Sequence, residues 1–398
     1  MSTPRAAWRC HVRRVLGAFV MMHGLIHVLG VVKGFGWAHV AQLSEPVGVG
    51  VAFGWLAAAV LVTGAGLLLV IGVRWWWAVG LVAAVVSQLV IVTSWRDARM
   101  GTVANVVLAF AALHGLAAEG PLGLRAGYRR SALRAVADAP SVAPGVITIA
   151  DLARLPGPVA AYVVASGAVG QPHVAGFVAR IRGRIRGGPD EPWMTFVGEQ
   201  TNTFGSAPRR LFCMDATRGG ILIDVFHSYV GPSARMRVRA MSIAPMVDAS
   251  GSMLTRAETV TLFNDLCVFA PGALVDVPVE WSAIDAHRVG ATYTNAGHTV
   301  RAELVFAEND QLVDFVSDDR QQAAPDGASF APRRWSTPVG DVHDFHGHRV
   351  VSEGRARWQD PGTDGFDYLE LHVDDVRYLE GQGRAATGGH PDALALVR

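Results

Sequence analysis

From Val15 to Ser94 the chain carries only three formal charges, Lys33, Glu45 and Arg74. A stretch so depleted in charge belongs in hydrocarbon or deep in a large core, and the lengths of its apolar runs decide between the two. A helix rises about 1.5 Å per residue, so about 20 mostly apolar residues cross a bilayer. Four runs meet that requirement, at 15–37, 49–72, 75–95 and 102–118. Trp37, Trp75, Trp76, Trp77 and Trp95 stand at their ends, where an amphipathic indole favours the headgroup region. The pattern predicts a four-helix transmembrane domain within residues 1–120. The first run is long, lacks a small-residue cleavage site and is followed by further apolar runs, so it reads as a retained helix and not as a secretory signal.

The arginines orient the bundle. Arg5, Arg9, Arg13, Arg14, Arg74, Arg125, Arg129, Arg130 and Arg134 fall on one side of it, against Lys33, Arg96 and Arg99 on the other. The positive-inside tendency then places both termini in the cytoplasm of a cell with this protein in its inner membrane. That compartment suits Cys10, Cys213 and Cys267, which are odd in number and have no metal-ligand spacing. A bridge between Cys213 and Cys267 is compatible with the sequence.

Polar side chains are costly within lipid and mark candidate functional positions. His23 and His27 are spaced i, i+4 and project from one helical face, where they suit a metal, a haem or a proton relay, and Gln88, Asp97 and His114 in later spans are candidates to join them. The competing reading is helix-to-helix hydrogen bonding. Gly30 and Gly34 continue the histidine face and allow a second helix to approach.

After Leu124 the chain is dense in Arg, Asp and Glu, so a net charge of +1 hides an asymmetry along the chain and carries no message about nucleic acid. We expect a linker at 121–146, a soluble β-rich domain at 147–380 and a flexible tail at 381–398. Within 173–186, Phe177, Ala179, Ile181 and Ile185 alternate with Arg180, Arg182, Arg184 and Arg186, which is the period of a strand with a basic outer row. A second row, Arg235, Arg237 and Arg239, follows a meander punctuated by the turns TRGG and GPSA. The rows suit anionic headgroups, or else pair across strands with Glu303, Asp314, Glu370 and Asp374. A helix is expected over 255–269, opened by Thr255-Arg-Ala-Glu258 as a capping box and closed by Pro271 and Gly272. Strands then resume to about residue 376. The fold class is therefore a four-helix transmembrane bundle followed by an α+β domain with a curved, mainly antiparallel, half-barrel-like sheet and one packed helix.

Candidate chemistry in the soluble part is sparse. Asp224 and His227 lie three apart on one strand, and Asn264 and Asp265 lie on the capped helix, which suggests a carboxylate–histidine pair. No Gly-x-Ser-x-Gly, phosphate-binding glycine loop or HExxH is present, so a general base has no marked nucleophile to activate. Asp318, Asp319 and Arg320 end a strand, where they suit either ligand orientation or a local turn. His343, His346 and His348 flank a glycine turn and define no ligand geometry, so no metal is assigned. Trp281, Trp335 and Trp358 are expected in core or rim. No cofactor is identifiable, no protein partner has a signature, and nucleic acid is disfavoured because the basic rows lack interleaved aromatics.

The segments LPGPVAAYVVASGAVGQPHV, RGRIRGGPDEPWMTF, DVFHSYVGPSARMRV, ETVTLFNDLCVFAPGALV and VEWSAIDAHRVGATYTNAGHTVRAELVF together resemble a family of bacterial membrane proteins carrying a domain of unknown function, over most of 150–380. HGLIHVLG and SQLVIVTSWRDARMGT look like the N-terminal bundle of some of its members. The order of strands, helix and strands is also similar to half-barrel domains that carry lipoproteins or lipids between membranes, which implies an apolar cavity under a helix. The reading favoured is an integral membrane protein, with membrane lipids as surroundings and an apolar or lipid-like ligand in its β domain. The alternatives are a redox or proton-handling enzyme built on the intramembrane histidines, and a membrane-tethered scaffold.

Overall fold

The protein is described by a computed structural model over residues 4–324, 329–359, 362, 365–380 and 391–397. It divides into two compact units, Met1–Ala126 and Gly127–Arg398.

The first unit is helical: α1 (Pro4–Ile26), α2 (Val28–Gly34), α3 (Val49–Ile71), α4 (Trp76–Thr93), α5 (Trp95–Ala98) and α6 (Gly101–Glu119). Four stretches, His11–Gly34, Val49–Ile71, Trp76–Thr93 and Gly101–Ala137, are long and apolar enough to cross a membrane. Their outward positions are apolar too, with Phe53, Val60, Leu67, Leu89, Val106 and Phe110 exposed. Within the first span the helix is interrupted at His27, between α1 and α2. At His27 the backbone tightens into i→i−3 bonds (His27 N–H to Gly24 O, Gly30 N–H to His27 O, both 3.1 Å). The His27 ring Nδ1–H donates instead to the His23 carbonyl, at 2.9 Å. A side-chain donor inserted into the ladder is a known cause of such a break.

Small residues let these helices meet. A Cβ added to Gly30 would run into the Trp55 ring, whereas one added to Gly64 would meet nothing within 4 Å. Gly30→Leu should therefore destabilise the bundle by about 1–3 kcal/mol through overpacking, and Gly64→Leu should leave it nearly unchanged. Thermal melts of the two variants in the same detergent check this. Equal melting would contradict the packing described.

The second unit begins within α7 (Leu124–Ala137) and continues through a 3-10 turn (Ile149–Arg154) and α8 (Gly157–Ala165). A meander follows, of β1 (Val174–Ile185), β2 (Met194–Thr203), β3 (Arg209–Arg218), β4 (Ile221–Val230), β5 (Ser233–Ala240) and β6 (Ala244–Ser250). After α9 (Ser252–Phe269) and a 3-10 turn (Pro271–Val275) come β7 (Val279–Ala283), β8 (Arg288–Asn295), β9 (His298–Phe306) and β10 (Leu312–Ser317). Short strands β11 (Gln321–Ala323), β12 (Phe330–Pro332), β13 (Arg334–Ser336), β14 (Val342–Phe345) and β15 (His348–Val351) lead to β16 (Glu353–Gln359), β17 (Phe366–Glu380) and α10 (Pro391–Val397).

Among the described residues thirteen strands form one antiparallel sheet, β6-β5-β4-β3-β2-β1-β17-β16-β13-β10-β9-β8-β7. The order follows from hairpins, such as the one closed by Gly219 and Gly220, both at positive φ (55° and 85°), as the tight turns that match strand twist require. The sheet curves around α9, which is buried at almost every position from Leu254 to Phe269.

Three expectations are corrected here, and one open possibility is closed. The stretch expected as linker contains α7, because Leu124, Tyr128, Ala132 and Ala135 recur at helical spacing and are buried. In the expected tail, α10 buries Ala393 and Val397, an i, i+4 pair, while residues 381–390 lie outside the described residues. The helix α9 opens at Ser252, so Thr255 and Glu258 form no capping box. Thr255 Oγ1 bonds Gly251 O and receives the Ala234 N–H, and Glu258 turns to arginines. Finally, no disulfide joins Cys213 and Cys267. Arg210, Phe212, Met214 and Ala216 face the inner side of the sheet with α9, so strand alternation puts Cys213 on the outer side, away from Cys267.

Candidate functional site: a half-apolar cavity under helix α9

Inward-facing residues of the first five strands and of β16 and β17 meet α9 around a cavity of about 490 Å³. Its walls are mostly hydrophobic, with Phe196, Met214, Ile223, Val225, Met236 and Val238 prominent. These positions alternate with outward residues along each strand, which is why the sequence's period of two produces a greasy inner face.

One end of the cavity is polar and is organised by α9. Asp265 Oδ2 accepts from Arg210 Nε–H at 2.6 Å, Gln200 Nε2 at 2.7 Å and Asn202 Nδ2 at 3.1 Å. Glu258 receives Arg320 at 2.9 Å and Arg210 at 3.3 Å, and His227 Nε2 stands 3.5 Å from it. The Arg320 guanidinium lies over the Trp335 and Trp358 rings, at 5.6 and 6.0 Å from their centroids. Burial alone would push the Glu258 carboxyl up. His227, when protonated, and the two arginines outweigh it and hold the group at about 2. Burial takes the His227 imidazole down to about 4, against the pull of Glu258. At neutral pH the imidazole is thus uncharged, and the arginines keep Glu258 ionised. Burial would lower the Arg210 guanidinium, but Asp265 and Glu258 hold it above its ordinary value.

A buried imidazole kept neutral makes stability depend on pH. Between the unfolded value near 6.5 and the folded value of about 4, the unfolded chain binds more protons, so stability falls as pH drops through that window, by at most about 3 kcal/mol for one group. His348, buried against Tyr378 and also lowered to about 4, acts in the same sense. His227→Gln should remove about half of the loss in melting temperature between pH 6.5 and pH 4.5. An unchanged slope would contradict a neutral, buried His227.

Of the residues singled out in the sequence, the structure gathers His227, Asp265, Asn264 and Arg320 at the cavity. Asp224 is not His227's partner. Ile223, Val225 and His227 face inward, so three positions of separation put Asp224 on the outer face. Asn264 Oδ1 accepts from Thr337 Oγ1 at 2.6 Å. Asp318 pairs outward with Arg334, and Asp319 joins Arg256 and the Arg301 N–H. Glu258, Arg210, Gln200 and Tyr368 were missed. The signal for the first pair was an acid on α9 and an arginine at an inward strand position.

The arginine rows lie on the outer face, except for Arg186, which lines the cavity. Arg182 meets Asp374 at 2.8 Å, Arg184 meets Glu370 at 2.6 Å, Arg180 meets Asp375 at 3.6 Å and Arg235 meets Asp248 at 2.7 Å. Arg186 stacks on Trp193 and Arg237 on Phe226, while Arg239 faces Pro245 across β5 and β6. Glu303 pairs with Arg288 instead of a row arginine, and burial raises the Asp314 carboxyl to about 6. Trp335 and Trp358 are buried at the cavity, and Trp281 is half-buried on β7. His346 meets Asp375 at 3.2 Å. Among the described residues no group of three or more His, Cys, Asp or Glu is gathered closely enough for a metal ion.

In the helical unit a hydrogen-bond chain joins α1, α4 and α6. His23 Nε2 meets Asn105 Oδ1 at 3.0 Å, Asn105 Nδ2 donates to Gln88 Oε1 at 3.0 Å, and Gln88 Nε2 donates to Thr102 Oγ1 at 3.1 Å. His27 Nε2 meets Ser87 Oγ at 2.8 Å while its Nδ1–H is held by the His23 carbonyl. Both His27 nitrogens are engaged, which suits helix-to-helix bonding. Asp97 instead receives the Ser44 and Glu45 backbone N–H groups and pins their loop. His114 lies nine residues beyond Asn105 on α6, about 13 Å along the axis.

Among the solved structures that this chain is remotely similar to are the following three. A DUF1329 family protein from Desulfovibrio piger matches at 13% identity over 59% of this chain and 97% of that one, with a TM-score of 0.32. A putative outer membrane lipoprotein-sorting protein domain from Vibrio parahaemolyticus matches at 9% over 56% and 92%, TM-score 0.28. A LolA superfamily protein from Nitrosomonas europaea matches at 9% over 54% and 91%, TM-score 0.30. No curated protein matches. The profile of the family of unknown function DUF6544 matches residues 145–371, which are more than half of the chain and contain the whole cavity wall. The chain belongs to the DUF6544 family.

Proposed function

We propose that the second unit holds an apolar, lipid-like ligand in the cavity under α9, and that the first unit anchors the chain in a bacterial inner membrane with both termini cytoplasmic. The observation that carries the reading is the cavity itself: about 490 Å³, walled by hydrophobic side chains in a folded domain. Interiors are normally close-packed, and a void of this size falls in the range of small-molecule sites. The exposed apolar positions on α3, α4 and α6 support the anchor, since a bundle surrounded by water would carry polar groups there.

The test is a titration of the full chain, held in an amphipathic polymer, with a fluorophore that brightens in apolar surroundings. Saturation near one probe per chain, reversed by excess lipid extract, is expected. Linear, non-saturable uptake contradicts the reading. A reporter fused after Arg398 should respond from the cytoplasm.

A further inference from the structure

Resting on that reading, we propose that the occupant is a single-chain amphiphile with an uncharged, oxygen-bearing head, its chain along the apolar wall and its head against Arg320 and His227. Size sets the chain. At about 490 Å³ the cavity lies within the range of sites for single small molecules, which suits one acyl chain.

The polar end sets the head. At the α9 end two guanidiniums, Arg210 and Arg320, face two carboxylates, Glu258 and Asp265, and these four are matched in charge; the other lining arginines are held by Asp367, Arg355 by its carboxylate at 3.6 Å and Arg186 by its backbone carbonyl at 2.8 Å. A further full anion there would be an uncompensated charge in a buried place, which is expensive. A pure hydrocarbon fails for the opposite reason. Arg320 Nε and His227 Nε2, on either side of the Glu258 carboxylate, have no hydrogen-bond partner. Buried polar groups are normally paired. A hydroxyl or ester oxygen can accept from the guanidinium and, as a hydroxyl, can also give to or take from the imidazole. Both residues line the cavity, and the proposal requires each side chain to turn its buried nitrogen toward the head.

The test uses the full chain in an amphipathic polymer, because sugar-headed detergents belong to the proposed ligand class. Equal amounts of monopalmitoylglycerol, palmitate and hexadecane are added, and occupancy is read by native mass spectrometry. The glycerol ester should be retained at least about tenfold over the other two, the worth of a hydrogen bond to a charged donor. Arg320→Lys keeps a positive charge facing Glu258 but removes the Nε donor, and should shrink that preference severalfold, with melting temperature as the control for folding. Preference for palmitate, or equal retention of all three by the wild-type chain, overturns the head assignment while leaving an apolar site in place. Retention of none of the three overturns the parent reading as well.

Discussion

Replacing Glu258 with alanine should destabilise the β-rich unit by about 3–5 kcal/mol and lower its melting temperature by roughly 10 °C. The carboxylate is 2% exposed and receives Arg320 at 2.9 Å and Arg210 at 3.3 Å. Removing it leaves the Arg320 guanidinium buried without an anionic partner and Arg210 with Asp265 alone. The cost is the unpaired charge, and not the worth of the bond itself. Exchanging the buried pair for apolar groups of similar volume, Glu258→Met with Arg320→Met, should therefore recover most of the loss. Asp374→Ala is the contrast, because its partner Arg182 is half in water at 52% exposure and such pairs contribute less than about 1 kcal/mol. Thermal and urea melts of the four proteins decide the matter. A Glu258→Ala chain as stable as Asp374→Ala would show that the polar end is not the buried, matched cluster described.

Filling the cavity should weaken ligand binding strongly without unfolding the domain. Met214 and Val238 face inward from neighbouring parts of the wall, Val238 being only half-buried. Tryptophan at both positions occupies space now open, so the added rings need not displace packed neighbours. If about four methylenes of the ligand are thereby kept in water, the loss is about 3 kcal/mol, or roughly 200-fold in affinity. Titration of the apolar fluorophore into the double variant measures it. Unaltered affinity with an unchanged melting temperature would place the ligand elsewhere.

How much of this was legible in the sequence depended on whether a local period carried the information. The four apolar stretches were visible because they carry a single formal charge, Lys33, among them, and β1 because Ile181 and Ile185 alternate with arginines. The break at His27 was not visible, since it comes from one ring N–H taking the His23 carbonyl. The candidate site was half legible. His227, Asp265 and Arg320 were singled out, but Asp224 was paired with His227 by nearness in sequence, although a strand sends residues three apart to opposite faces. Glu258 was hidden by its own motif, because Thr-Arg-Ala-Glu reads as a cap until tertiary contacts show the helix starting a turn earlier. Arg210 drew no notice within RRLFC, since only the curvature of the sheet brings its guanidinium onto α9.

The most direct measurement is native mass spectrometry of the chain released from its own membrane by a styrene–maleic acid polymer, alongside the Met214→Trp, Val238→Trp variant prepared identically. A single lipid-sized adduct that survives stripping of the surrounding lipid in the wild-type chain, and is missing from the filled variant, is the expected result. A bare wild-type mass after stripping, or the same adduct on both proteins, would contradict a ligand held under α9.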